Sequence, residues 1–207
     1  ELGGQIDRFF HTSDPNTIEV YYKSVLPVSN TYIQQKVLLE MGARSLTEPA
    51  EIKSIISFID ENYKDLPFTQ STFDVQVVMP TRTFIEKVLL LHEKFSKPFD
   101  KIRTDRLTRH FYDLDKMMSA GYGEKAIIDN ELFETIVEHR KTVNLIRGLD
   151  YSNHEKGKLS IIPPNEVISK WKEDYKIMQQ NMIVGTSLNW DALIKNIRAI
   201  ENKFNRL

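Results

Sequence analysis

The sequence predicts an α+β fold, with its strands in residues 1–80 and a helical bundle after them. Three observations carry this reading. Phe73-Asp-Val-Gln-Val-Val-Met79 starts with apolar–polar alternation and then turns wholly apolar, the pattern of a strand buried mainly on one face. From Phe84 to Leu91, apolar side chains fill almost every side of a 3.6-residue repeat, as in a buried helix. Near the end, Leu193, Ile194, Ile197 and Ile200 recur at helical spacing.

At 207 residues the chain is long enough to bury a substantial core. The charged, proline-containing stretch Ser96–Asp105 lacks periodicity and marks the internal boundary, between an α/β part (1–100) and a helical part (101–207). Hydrophobic content of 41% and charged content of 28% are those of a soluble globular protein. A net charge of -1 excludes a global field toward nucleic acid or membrane, so any such contact must come from a local patch. With no cysteine, disulfides, thiol catalysis and cysteine–zinc sites are excluded, which fits a reducing cytoplasm. No signal peptide and no apolar run near eighteen residues appears, so no membrane span is expected.

Residues 1–30 are read as a helix end and a strand beginning at Thr17, with Gly3-Gly4 a turn. A second strand runs from Ile33 to Met41 and ends at Gly42. Glu40 in its apolar run either faces water at a sheet edge or needs a partner or metal. Ile52, Ile55, Ile56 and Ile59 fit an amphipathic helix over Ala50–Tyr63, though isoleucines also suit an extended arm. Pro80 ends the third strand, and Thr83 with Glu86 forms a capping box that opens the buried helix. Lys87 interrupts its apolar stripe, so it must be ion-paired, snorkel to water, or serve a ligand.

The next helix has a core stripe of Leu107, Phe111, Leu114 and Met118. Arg106, Arg109, His110 and Asp113 lie on an adjoining face. Either Arg109 and Asp113 pair at i,i+4, or these groups and Lys87 face one cleft suited to a phosphate-bearing ligand. Lys94, Lys97, Lys101 and Arg103 add positive charge, read as a solvated loop or as a rim for RNA or triphosphate. Gly121-Tyr-Gly123 stops this helix, and another covers about 130–146. After a loop, Pro164 opens a helix to about 182, in which Trp171, Tyr175 and Met178 are read as packing. A last helix, Asn189–Phe204, pairs with it across Gly185.

Thr83-x-x-Glu-Lys87 on a leucine-rich helix, followed by Arg109-His-x-Tyr-Asp-Leu114, resembles the AbiEii/AbiGii-type nucleotidyltransferases. These are toxins of bacterial toxin–antitoxin and abortive-infection systems. Val37–Arg44 with Glu48-Pro49 is similar to the family's strand bearing an acidic residue and a nearby arginine, and Trp171–Leu207 to its helical tail. The resemblance implies that residues 1–80 are part of a mixed nucleotidyltransferase-like sheet. It also implies Mg²⁺-dependent transfer of a nucleotide from a nucleoside triphosphate to an acceptor such as tRNA, and a cognate antitoxin.

In family terms Lys87 and Asp113 are catalytic, Lys87 contacting phosphate and Asp113 being the carboxylate of the last motif. Arg44, Arg106, Arg109 and His110 lie near the phosphates, and Glu40 supports the metal. Two departures follow. The family's glycine turn and Asp-x-Asp strand are expected ahead of residue 1, so the chain by itself is expected to be inactive. Its one Asp-x-Asp, Asp113-Leu-Asp115, falls in a helix that splays the carboxylates by about 200° and denies them a common metal. Some relatives also carry an acidic residue where His110 stands.

Overall fold

The protein is described by a computed structural model that covers residues 8–10, 17–22, 34–41, 49–64, 66–143, 146 and 148–206. Among these residues the α+β expectation holds. The strands β1 (Arg8–Phe10), β2 (Thr17–Tyr21) and β3 (Lys36–Glu40) form an antiparallel sheet in that order. The strands β4 (Ala50–Ile55) and β5 (Phe73–Val78) form a second antiparallel ladder. The strand region is thus two antiparallel ladders, and no parallel pair occurs among the described residues. A short helix α1 (Phe58–Asn62) lies between β4 and β5.

Three local expectations are corrected here. Ile52 and Ile55 of the Ala50–Tyr63 segment lie in β4 and Ile59 in the short helix α1, so no single amphipathic helix spans it. The β-branched Ile52 and Ile55 favour extended backbone, and Ile52, at 73% exposure, has no apolar layer for a helical stripe to meet. β5 forms where expected, but it is not buried on one face. Phe73, Val77 and Val78 remain exposed because β5 forms its ladder with β4 alone. Finally, the helix α2 (Pro80–Phe95) opens three residues before Thr83, with Pro80 in its first turn and Met79 as its cap. The capping box does not form: the Thr83 N–H donates to the Met79 carbonyl at 3.2 Å, and Glu86 pairs with Arg82 instead.

The remaining helices are α3 (Arg109–Ser119), α4 (Tyr122–Ile128), α5 (Asn130–Thr142), α6 (Asn165–Asn181) and α7 (Trp190–Asn205). α2 is central and packs against α3, α4 and α5, while α3 also packs on α7. Phe84, Ile85, Val88, Leu89 and Leu91 are fully buried, as an all-round apolar helix requires. Trp171 of α6 sits between Phe95 and Phe111, with ring centroids 4.9 and 5.0 Å away. It is a core residue, together with Tyr175 and Met178.

α4 is an element the sequence reading lacks. Gly121 does end α3, in the left-handed region at φ 80°. Gly123 then lets α4 start at once against α2, because a Cβ there would lie 2.9 Å from the Phe84 ring.

Two buried polar clusters hold the helices in register. Arg140 of α5 donates to both oxygens of Glu93 on α2 at 2.8 and 2.9 Å, and to the Glu86 carbonyl at 3.0 Å. Asp174 of α6 receives the Arg106 N–H at 2.7 Å, and the Thr108 N–H and hydroxyl at 3.2 and 2.6 Å. That carboxylate fixes the turn entering α3, where Arg106 adopts a positive φ of 58°.

Candidate phosphate-binding site

The seam between α2 and α3 brings together residues 87, 110 and 113. Lys87 Nζ lies 2.7 Å from Asp113 Oδ2 and 3.4 Å from His110 Nδ1. α2 places Lys87 because the neighbouring positions 84, 85, 88 and 89 are locked in the core, leaving 87 at its margin. α3 places His110 and Asp113 one turn apart on the side facing α2, with Phe111 and Leu114 buried. The ammonium and carboxylate side chains are 21% and 40% exposed, so the pair borders solvent. A shallow groove of about 330 Å³ at the start of α2 is lined by Thr83 and Lys116 but not by Lys87, His110 or Asp113.

Arg109 is exposed and takes no ion-pair partner among the described residues, so Asp113 pairs across helices instead of at i,i+4. Burial, then the Lys87 and Arg109 cations, push His110 down to about 4, only partly offset by Asp113. Lys94, one helical turn past residue 90, also opposes its protonation. The Lys94 ammonium is in turn lowered by burial and by the nearby charges of Lys97 and Arg103. Of the basic rim read from sequence, Lys97 and Arg103 therefore lie close enough to Lys94 for their charges to be felt there. Arg106 is fixed through its backbone to Asp174, and its charge is felt by Lys36 on β3.

Other expected site residues lie elsewhere. Glu40 is exposed at the end of β3, the edge strand of its sheet, opposite Thr17, and makes no described contact with Lys87 or Asp113. Arg44 lies outside the described residues, as does the Gly3-Gly4 turn. Asp115 points away from Asp113, as helical geometry demands, and accepts from Asn196 of α7 at 2.7 Å. Mg²⁺ needs several oxygen ligands at one point. No group of three or more acidic or histidine side chains that could hold a metal occurs among the described residues, which alone therefore do not fit that ion.

Asp174 is the residue that the sequence reading missed here. It acts from α6, 66 and 68 residues from its partners, and no local pattern announces it.

No helix among the described residues is long and apolar enough to cross a membrane. No curated protein and no solved structure matches the chain. Residues 3–196, nearly the whole length, match the family described as nucleotidyl transferase AbiEii toxin, Type IV TA system. A cation–carboxylate pair drawn from the two motifs of the central helices sits within that match. The chain belongs to the AbiEii family of nucleotidyltransferase-like toxins of type IV toxin–antitoxin systems, a membership that implies an antitoxin partner.

Proposed function

We propose that the α2/α3 seam binds the phosphates of a nucleoside triphosphate, and that the protein serves transfer of a nucleotide to an acceptor such as tRNA in a bacterial cytoplasm. The observation that carries this is the Lys87–Asp113 pair at 2.7 Å, made by side chains from two separate motifs and open to solvent. Lys87 would turn toward a phosphate oxygen and neutralise charge that builds during transfer. Asp113 would hold the lysine in place and could also orient an acceptor hydroxyl. Arg109, His110 and Arg106 flank the phosphates, and Lys94, Lys97, Lys101 and Arg103 offer a rim to an RNA backbone. Mg²⁺, which the family resemblance implies, would need ligands beyond the described residues. The step assigned to this chain's own groups is phosphate neutralisation.

A second reading is a non-catalytic module that binds nucleotide, RNA or the antitoxin. It is favoured by the rim, whose attraction for an RNA backbone requires no chemistry.

Titration calorimetry with ATP, GTP, CTP and UTP in the presence of Mg²⁺ tests the first reading. Lys87→Ala should abolish binding and cost no more than about 1 kcal/mol of stability, because a half-exposed ion pair contributes little. Unchanged affinity in the variant, or no binding by the parent chain, refutes the phosphate site. Incubation with labelled triphosphates and total tRNA separates the two readings: label on RNA means transfer, and binding without label means a module.

A further inference from the structure

Lys87 has three ammonium N–H groups and no lone pair. Two of them have acceptors in Asp113 Oδ2 at 2.7 Å and His110 Nδ1 at 3.4 Å. Nδ1 must therefore be the lone-pair nitrogen of His110, and the ring proton sits on Nε2. The cations Lys87 and Lys94 face this ring from α2 and Arg109 from α3, with Asp113 the opposing carboxylate. The ring is only 8% exposed, and a protonated imidazole here would have to turn an N–H against an ammonium. Neutrality is thus required by the geometry.

We propose that His110 is a positioning residue, a neutral Nε2-protonated imidazole that anchors the Lys87 ammonium jointly with Asp113 and leaves one Lys87 N–H for a phosphate oxygen. This rests on reading Lys87 as a phosphate ligand. A lysine stem turns about four bonds, and ordering it costs entropy on binding. Two acceptors on successive turns of one helix remove most of that freedom beforehand.

Two measurements on the full chain test this. Long-range nitrogen–proton NMR should show His110 as the Nε2–H tautomer at pH 7. The Nδ1–H tautomer, or a doubly protonated ring, overturns the proposal. In titrations with inorganic tripolyphosphate, His110→Phe, which keeps a ring but no acceptor, should weaken binding about tenfold. His110→Gln, whose carbonyl can accept from Lys87, should stay within about threefold of the parent. Equal losses in both variants, or none in either, also overturn it. If the parent chain binds no tripolyphosphate, the phosphate reading itself fails, while the tautomer still decides whether His110 anchors Lys87.

Discussion

Replacing Asp174 with alanine should loosen the α2/α3 seam from a distance of two helices. Its carboxylate receives two backbone N–H groups and one hydroxyl, all from the turn that leads into α3. Thr108 is completely buried, so its N–H would lose its acceptor where water does not reach, and its hydroxyl would keep only the Met178 sulfur at 4.0 Å. Each buried donor left unpaired costs about 1–3 kcal/mol, whereas the Arg106 N–H lies in a half-buried residue that water can serve. Allowing for non-additivity, the expected loss is about 2–4 kcal/mol. The positive φ of Arg106 adds a reason for the turn to relax once the carboxylate is gone. Urea denaturation should show a lower midpoint with an unchanged slope. Asp174→Asn keeps one acceptor oxygen but turns an amide donor toward another donor, so it should lose part of the same energy. Because α3 carries Arg109, His110 and Asp113, triphosphate binding should weaken even under conditions where the variant stays folded. A loss under about 0.5 kcal/mol, the range of an ordinary surface change, would refute the capping role of Asp174.

Arg140→Met would strand the Glu93 carboxylate, 6% exposed, without its guanidinium and should cost about 3–5 kcal/mol. Adding Glu93→Met should restore much of it, and equal stability of single and double variants in urea denaturation would contradict the pairing. Gly123→Ala forces a methyl to 2.9 Å from the rigid, fully buried Phe84 ring. It should lower stability by about 1–3 kcal/mol in thermal unfolding, and a neutral result would mean that α4 can move off α2. His92 and His110 are both held down to about 4, chiefly by burial, with His154 and Lys87 respectively adding to it. Their folded values lie below the ordinary 6.5, so the unfolded chain takes up more protons as pH falls. The stability they contribute is therefore full above pH 6.5 and drains away toward pH 4. Denaturant midpoints should drop between pH 7 and pH 5, above the carboxylate range, and a flat profile there would refute this assignment.

What could be read from the sequence follows the strength of local signals. The helices α2, α3, α5, α6 and α7 announce themselves through apolar stripes such as Phe111, Leu114 and Met118 on α3, which only a helix can gather on one side. The β4 segment misleads because isoleucines at 52, 55, 56 and 59 satisfy the helical spacing too, and β-branching decides for the strand only when a partner such as β5 is present. The missing capping box has a similar cause. Pro80 is already set for a first helical turn, so the helix starts there and leaves Thr83 inside it. At the seam, the sequence leaves two arrangements of residues 87, 109 and 113 open, Arg109 with Asp113 along one helix or Lys87 sharing a cleft with Asp113, and periodicity alone cannot choose between them. Spacing along α3 suggested Arg109 with Asp113, whereas the packing of α2 on α3 presents Lys87 at closer range. Contacts over 66 to 68 residues, such as those of Asp174, carry no local signature at all.

Energetics indicate why a lysine at position 87 fits the proposed phosphate site better than a structural role. A pair with one partner 21% and the other 40% exposed is worth about 0.5 kcal/mol to the fold, and rarely more than 1. A leucine at the same margin of α2, covering the seam, would gain up to about 1.5–3 kcal/mol by burying its side chain. Stability alone would favour the apolar residue, since every neighbouring turn of α2 already follows that rule with Phe84, Val88 and Leu91. The contrast with Glu93–Arg140 is instructive. That pair is nearly closed to solvent, makes several hydrogen bonds, and ties α2 to α5, so its removal must hurt the fold. Lys87 and Asp113 stay at the solvent border, so the ammonium can keep its carboxylate partner and still present an N–H where a phosphate oxygen can reach it.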